Sequence, residues 1–228
     1  WLSTSDVKVI IIPMYDSSRR EEASYWKELS KRGVKIINFS ASLSPHLVNN
    51  DLTVLDTQYF PPVANFYPGK ANSIFFWQRI TSVNIQTLVQ LVGDTITDIH
   101  LHNAVDPGHI YIEPSPNVVA KYRISESSWT EEKGALLAMI KESRYFLAPR
   151  VKEGIGMSFL QALAMGKVVI AADSPTMNEY ITHNVTGYLY NPNHIVPISM
   201  GDSLQMQKNA YEYMRSGRQR REEDEQKI

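Results

Sequence analysis

The residues best suited to chemistry lie between Pro149 and Pro192, in the stretch PRVKEGIGMSFLQALAMGKVVIAADSPTMNEYITHNVTGYLYNP. A short strand is expected to end near Pro149. A loop with Arg150, Lys152 and Glu153 follows, and Gly154-Ile155-Gly156 leads into a helix that starts at about Met157. In a parallel sheet, ligands bind beyond the carboxyl ends of the strands. A helix N-terminus has unpaired N–H groups and a positive dipole end, worth about 0.3 to 1 kcal/mol to an exposed phosphate. Gly156, Met157 and Ser158 are therefore candidate phosphate contacts, and glycine lets the backbone come close. Glu153 then sits beside the phosphate, able to hydrogen-bond sugar hydroxyls, and Gln161 lies about one turn into the helix, near the same strand end. Glycine pairs also make plain strand-to-helix turns, so this pair alone does not decide between the two.

The elements that must position these groups follow from apolar periodicity. Val7 to Pro13 is a near-continuous apolar run and reads as a strand buried on both faces. Arg19 to Lys31 carries Ala23, Trp26 and Leu29 at helical spacing and stops at Gly33, and Lys35 to Phe39 is a second strand, followed by an irregular stretch. Tyr59 to Gly69 is a connector. Strands are then expected at Ile74–Trp77, Ile99–Ala104, Val118–Ile124, Tyr145–Leu147, Val168–Ala172 and Tyr188–Tyr190. Helices are expected at Val83–Val92, Thr130–Lys141, Met157–Met165 and Pro175–Thr182. Such alternation predicts an α/β fold, a Rossmann-like parallel sheet with helices on both faces. Leu204 to Met214 is helical, and the charged run after it reads as a solvated, fraying end, with a partner-binding tail as the alternative.

The bulk numbers bound the class. Hydrophobic residues make up 43% and charged residues 21% of 228, an ordinary globular composition. The net charge of -1 gives no electrostatic footprint for nucleic acid. Without cysteine, disulfide scaffolds and thiolate metal sites are excluded. No apolar run approaches the length of a membrane span. The chain opens on Trp1 rather than Met and reads as a fragment or processed product.

Over about 40 residues the central stretch resembles the signature of the retaining two-lobed (GT-B) glycosyltransferases, the family of glycogen and sucrose synthases and many polysaccharide-assembly enzymes. The matching positions are Glu153-Gly154-Ile155-Gly156, Leu160-Gln161-Ala162-Leu163-Ala164-Met165-Gly166, Glu179-Tyr180-Ile181 and Gly187-Tyr188-Leu189. The look is similar to bacterial capsule and lipopolysaccharide transferases. The resemblance implies transfer of a sugar, with retention, from a nucleotide-sugar donor to a glycan or lipid-linked acceptor. Glu153 takes the place of the catalytic glutamate that contacts the donor sugar. Gln161 stands where a second glutamate grips the ribose, a departure that weakens a charge-assisted bond. Arg79 takes the place of an arginine that holds the diphosphate, while the partner lysine position is Asn84 and the preceding glycine is Gln78. Arg150 or Lys152 is then expected to supply the missing charge. The backbone at Ile124 and Ser125 is the expected base contact. The family generally needs no metal or other cofactor. The implied place is cytoplasmic, at the inner face of a membrane and peripherally associated with it where the acceptor is lipid-linked.

The resemblance divides the chain into 1–69, a truncated part of the N-terminal acceptor lobe with two strands; 70–200, the nucleotide-sugar-binding C-terminal lobe; and 201–228, a helix and charged tail. That truncation implies a chain that binds donor without necessarily turning over. Other readings stay open: a non-catalytic nucleotide-sugar-binding module, favoured by Gln161 and Asn84, or a sugar-nucleotide epimerase on the same fold. Glu179 has a local reading as well as a donor-binding one, because Thr176-x-x-Glu179 is a capping box; Asn178 is a weaker candidate. His100 and His102 share a strand face but read as packing residues. Asp106-Pro107-Gly108 is a turn. Asp16 lines a cleft or caps the helix near Arg19, and His183 reads as a surface or capping residue.

Overall fold

A computed structural model describes residues 8–132 and 134–226. The first part builds a small parallel sheet. Its elements are β1 (Ile10–Ile11), α1 (Tyr15–Ser18), α2 (Ala23–Lys31), β2 (Lys35–Asn38), α3 (Ser44–Val48) and β3 (Thr53–Asp56), with the strands in the order β1-β2-β3. The helical spacing of α2 puts Trp26 and Leu29 inside, and Gly33 ends the turn at a φ of +67°. With Val34, Ile36, Leu43, Leu47 and Leu52 these residues form a core of their own.

Two expectations change here. The first strand is not buried on both faces: Val9 and Ile11 pack against the core, while Ile10 and Ile12 turn to the other face and are 49% and 44% exposed. Val7, where that strand was expected to start, lies outside the described residues. The stretch after Phe39 is not irregular. Pro45 near its start favours the short helix α3, and Thr53-Val54-Leu55 supplies a third strand.

The remainder forms a six-stranded, wholly parallel sheet. Its elements are β4 (Lys70–Gln78), α4 (Ile85–Val92), β5 (Asp98–Asn103), α5 (Pro116–Lys121), β6 (Arg123–Ser128), α6 (Ala135–Glu142), β7 (Ser143–Leu147), α7 (Met157–Ala164), β8 (Val168–Ala172), β9 (Gly187–Tyr190) and α8 (Ser203–Glu225). The order is β6-β5-β4-β7-β8-β9, so the chain leaves β4 toward β5 on one side and reaches β7 on the other. That is the doubly wound order, with its switch point between β4 and β7. Helices cover both faces. Ile74, Phe75, Phe76, Leu101, Phe146, Leu147 and all of β8 are fully buried, as near-continuous apolar strands require.

Three further expectations are corrected. Val118 lies in helix α5 rather than a strand: Pro116 opens the helix after Ser115, and the strand begins only at Arg123. The stretch 175–182 holds only a 3-10 turn, Met177–Glu179. The charged run is helical rather than irregular as far as Glu225. Here helix α8 is laced by Arg218–Glu222 and Arg221–Glu225 pairs at 2.8 and 2.7 Å.

Helix α8 also crosses from one sheet to the other. Met206, Ala210 and Met214 enter the larger core. Further along, the Arg221 guanidinium lies 4.0 Å over the Tyr59 ring, and the Thr57 hydroxyl donates to Asp224 at 2.7 Å. The connector is anchored by Lys167, a fully buried lysine whose ammonium donates to the carbonyls of Tyr67 and Lys141, both at 2.7 Å. Burial brings its pKa down to about 8.

Gly217 sits in the middle of α8 because the Phe60 ring occupies the space of a side chain: an added Cβ would lie 2.1 Å from it. Glycine to alanine inside a helix normally gains about 1 kcal/mol, but overpacking a filled site costs about 1 to 3 kcal/mol. Gly217→Ala is expected to lower the melting temperature by about 2 to 6 °C; an unchanged or higher value in a thermal melt would show that the ring yields freely.

Candidate functional site

The site forms where the loops after β4, β5 and β7 leave the sheet at one rim. Phe76 pairs with Leu101 on one side and Leu147 on the other, so the three strands reach the rim in a common register. Three residues past Phe76 comes Arg79, and three past Leu147 comes Arg150. Asp106 emerges from the loop after β5 and meets both. Arg79 donates through Nε and Nη2 to one Asp106 oxygen, at 3.0 and 2.7 Å. Arg150 donates through Nε, at 3.0 Å, and through Nη2 to the other oxygen. Burial works against the ionised Asp106, but the hydrogen bonds from Arg150 and Arg79 outweigh it and hold the carboxyl below the usual carboxylate range.

Glu153 is the buried acid of the site, 8% exposed. One carboxylate oxygen lies 3.4 Å from Nη1 of Arg150, and its main-chain carbonyl accepts from the Thr176 hydroxyl at 3.3 Å. Burial raises its pKa, against the opposing pull of Arg150 and Arg79. After it, Gly156 takes a left-handed φ of +78° and turns the chain into α7, whose N-terminus carries no side-chain cap. A Cβ on Gly156 would lie 2.0 Å from the Phe159 ring, so the turn requires glycine.

Arg79 and Glu153 share a cleft of about 450 Å³ lined also by Gly154, Gly156, Met157, Ser158 and Gln161 from the larger sheet. Its other wall includes Met14 and Asp16 from the smaller sheet. Gly154 allows that approach, since a Cβ there would stand 2.9 Å from Met14 and 3.1 Å from the Asp16 carboxylate. Asp16 thus lines the cleft and lies in α1; the N-cap of α2 is Glu22. Lys152 is exposed and lines a neighbouring recess with Asp106, His109 and Arg150.

Four expected site residues lie elsewhere or are occupied. Asn84 is the N-cap of α4: its side-chain oxygen accepts from Gln86 and Thr87, one of its two amide N–H groups donates to the Thr81 carbonyl at 2.8 Å, and it is not among the residues that line the cleft. Ile124 and Ser125 sit at the amino-terminal end of β6, level with Ile99 and His100 and thus at the opposite end of the sheet from the rim. Misplacing that strand on Val118 puts the wrong end at the site. Glu179 neither caps its own turn nor faces the cleft. Its carboxylate accepts from the Ser40 hydroxyl and the Ala41 and Ser42 N–H groups at 2.9, 2.8 and 3.0 Å, and so joins the two sheets. Asn178 donates to Asp173.

His100 and His102 both bond the Ser127 hydroxyl at 2.8 Å and stack on Phe75, as packing residues do. His183 accepts from the Leu189 N–H at 3.0 Å. Among the described residues there is no cluster of metal-ligating side chains. Sequence reasoning missed Asp106 and Trp77. The Asp106 turn is present, but its arginine partners stand 27 and 44 positions away, beyond any local signal.

Residues 122–199 match the family model of glycosyl transferases group 1. No curated protein is similar to the chain in sequence. Among solved structures, TarM of S. aureus superimposes with a TM-score of 0.66 at 11% identity, over 98% of this chain and 51% of TarM, so the chain spans about half of that protein. A glycosyltransferase from Rickettsia africae gives 0.64 at 14% identity, over 97% and 71% of the two chains. Anabaena HepE, in complex with UDP and glucose, gives 0.61 at 12% identity, over 97% and 72%. Such identities establish the fold alone. The chain has the Rossmann-like α/β fold of the GT-B glycosyltransferases and carries a glycosyl transferases group 1 segment at residues 122–199.

Proposed function

We propose that this chain holds the donor site of a glycosyltransferase that moves a sugar, with retention, from a nucleoside-diphosphate sugar to a glycan or lipid-linked acceptor. The observation that carries this reading is the meeting, in one cleft at the switch point, of Arg79, the buried Glu153 and the uncapped N-terminus of α7. A diphosphate needs cations and free N–H donors; a sugar needs an acceptor for its hydroxyls. The cleft supplies both. The diphosphate is assigned to Arg79 and the Gly156–Ser158 backbone, and the donor sugar to Glu153. Gln161 is the contact for the ribose hydroxyls.

In the transition state the leaving diphosphate gains negative charge. Donors already aimed at that position stabilise it, typically by about 3 to 4 kcal/mol for one well-placed group. In this reading Arg79 and the helix end do this work, and no metal is called for. Glu153, ionised, orients the donor and stabilises positive charge at its anomeric region. A uridine diphosphate donor is favoured because HepE and the pneumococcal O-GlcNAc transferase GtfA were both solved with UDP. A role in bacterial surface-polysaccharide assembly is favoured by the likeness to WaaB, a lipopolysaccharide outer core galactosyltransferase. Action at the inner face of a membrane would follow from a lipid-linked acceptor. Among the described residues no helix is long and apolar enough to cross one.

The first test is a thermal-shift panel of UDP, GDP, dTDP, CMP and NAD. A ligand at 100 times its Kd adds about 2.7 kcal/mol, which raises the melting temperature of a chain this size by about 5 to 10 °C. UDP is expected to give such a shift and Arg79→Ala to diminish it. Absence of a shift with every nucleoside diphosphate would sink the donor-site reading. Binding without transfer would fit a binding module instead.

Glu153 gives a pH-dependent prediction. Its folded pKa is raised, so the folded state holds the proton more tightly than the unfolded chain does. Its contribution to stability is greatest below the ordinary carboxylate range and is lost as pH rises through the folded pKa. Glu153→Gln, which cannot ionise, is expected to melt higher than the parent at pH 7.5. The advantage should shrink toward pH 5, while donor turnover is lost. An advantage that grows on acidification would contradict this.

A further inference from the structure

We infer that Asp106 is a positioning residue that, with Arg150 held on its other oxygen, cradles Arg79 where that side chain lines the cleft and presents it preformed to the donor diphosphate. This rests on the donor-site reading above and adds to it a group that touches no substrate. The two arginines leave the sheet from β4 and β7, on either side of the switch point. Two guanidiniums converging on one place repel each other, and a long side chain at a sheet rim has many rotamers to lose when it binds a ligand. Asp106 removes both difficulties. Each of its oxygens serves one guanidinium, and each guanidinium engages it through Nε and Nη2. The Nη1 groups are left over. That of Arg150 reaches toward Glu153 at 3.4 Å, and that of Arg79 has no protein partner among the described residues and belongs to a side chain that lines the cleft.

Asp106 is itself fixed. Its N–H donates to the Arg79 carbonyl at 2.8 Å, and its carbonyl accepts from His109 at 3.1 Å across a turn in which Gly108 has a φ of +82°. Arg79 is also held from its flat side, its guanidinium carbon 4.5 Å from the centre of the Trp77 ring, and the Trp77 indole donates to the Ala104 carbonyl at 2.8 Å. The carboxylate thus engages Arg79 through Nε and Nη2 and leaves its Nη1 group for a second anion in the cleft. A guanidinium has five N–H donors, and Asp106 takes two from each.

The test separates phosphate recognition from general integrity. Calorimetric titrations of UDP and of uridine are run on the parent protein and on Asp106→Asn, which keeps the shape and removes the charge. The expected result is a UDP Kd at least about tenfold weaker with the uridine Kd unchanged within about twofold, because only the phosphate-dependent part of binding uses the cradle. An unchanged ratio of the two affinities would make Asp106 a scaffold residue. Tighter UDP binding would make it a competitor for the phosphate position. Either result overturns the inference.

A second measurement does not depend on the variant folding. In the parent protein the Arg79 and Arg150 Nε–H signals, followed by NMR with labelled arginine, are expected to stay protected from exchange when UDP is added. Their loss on UDP addition would show that the nucleotide displaces Asp106 and would also overturn it. Failure of the parent to bind UDP at all would instead overturn the donor-site reading on which the inference stands.

Discussion

The site depends on the common register of the parallel strands. Phe76, Leu101, Leu147 and Ile170 lie side by side across β4, β5, β7 and β8, all fully buried, and carry the strands to the rim in one register. Because the chain leaves β4 toward β5 and β7 toward β8, the loops after β4 and β7 part in opposite directions and leave a crevice. A slip of one residue in any of these strands would turn its apolar side chains to the wrong face. It would also move Arg79, Asp106 or Arg150 by about 3.3 Å, beyond hydrogen-bond reach. The polar cluster is therefore fixed by apolar packing beneath it.

The second wall of the cleft is set by contacts far from it. Glu179 carries three donors from the Ser40–Ser42 segment on one carboxylate. Hydrogen bonds to an ionised acceptor are about twice as strong as neutral ones, so this single side chain is a substantial tie between the sheets. With the connector held by Lys167, it places Met14 and Asp16 against Gly154. The missing Cβ at Gly154 matters for the shape of the cleft as much as for any approach of ligand.

Much of this was legible in the sequence where local chemistry decides. The five apolar residues of β8 are bounded as expected because nothing polar interrupts them and Gly166 precedes them. The Glu153 to Gly156 turn and α7 also fall where glycine spacing and helix periodicity put them. Legibility fails where a local signal is ambiguous or where partners are distant. Val118 and Val119 look like a strand, but Ser115-Pro116 opens a helix, and that one error carries the expected base contact to the wrong end of the sheet. Glu179 has a local capping partner in the sequence, yet its partners in the fold lie 137 to 139 positions away. The charged end looks solvated by composition, but aromatic rings from the connector and the smaller sheet lie under Arg221.

Helix α8 has a consequence for cooperativity. Its 23 residues span about 35 Å as one rod. Among the described residues the core of the smaller sheet holds seven buried apolar side chains, and so small a core is marginal by itself. In this chain its order is borrowed from the far end of that rod, through Phe60, Tyr59 and Thr57. The last turns of α8 and the smaller sheet are then one thermodynamic element: melting either removes the support of the other, and with it the wall of the cleft that carries Met14 and Asp16.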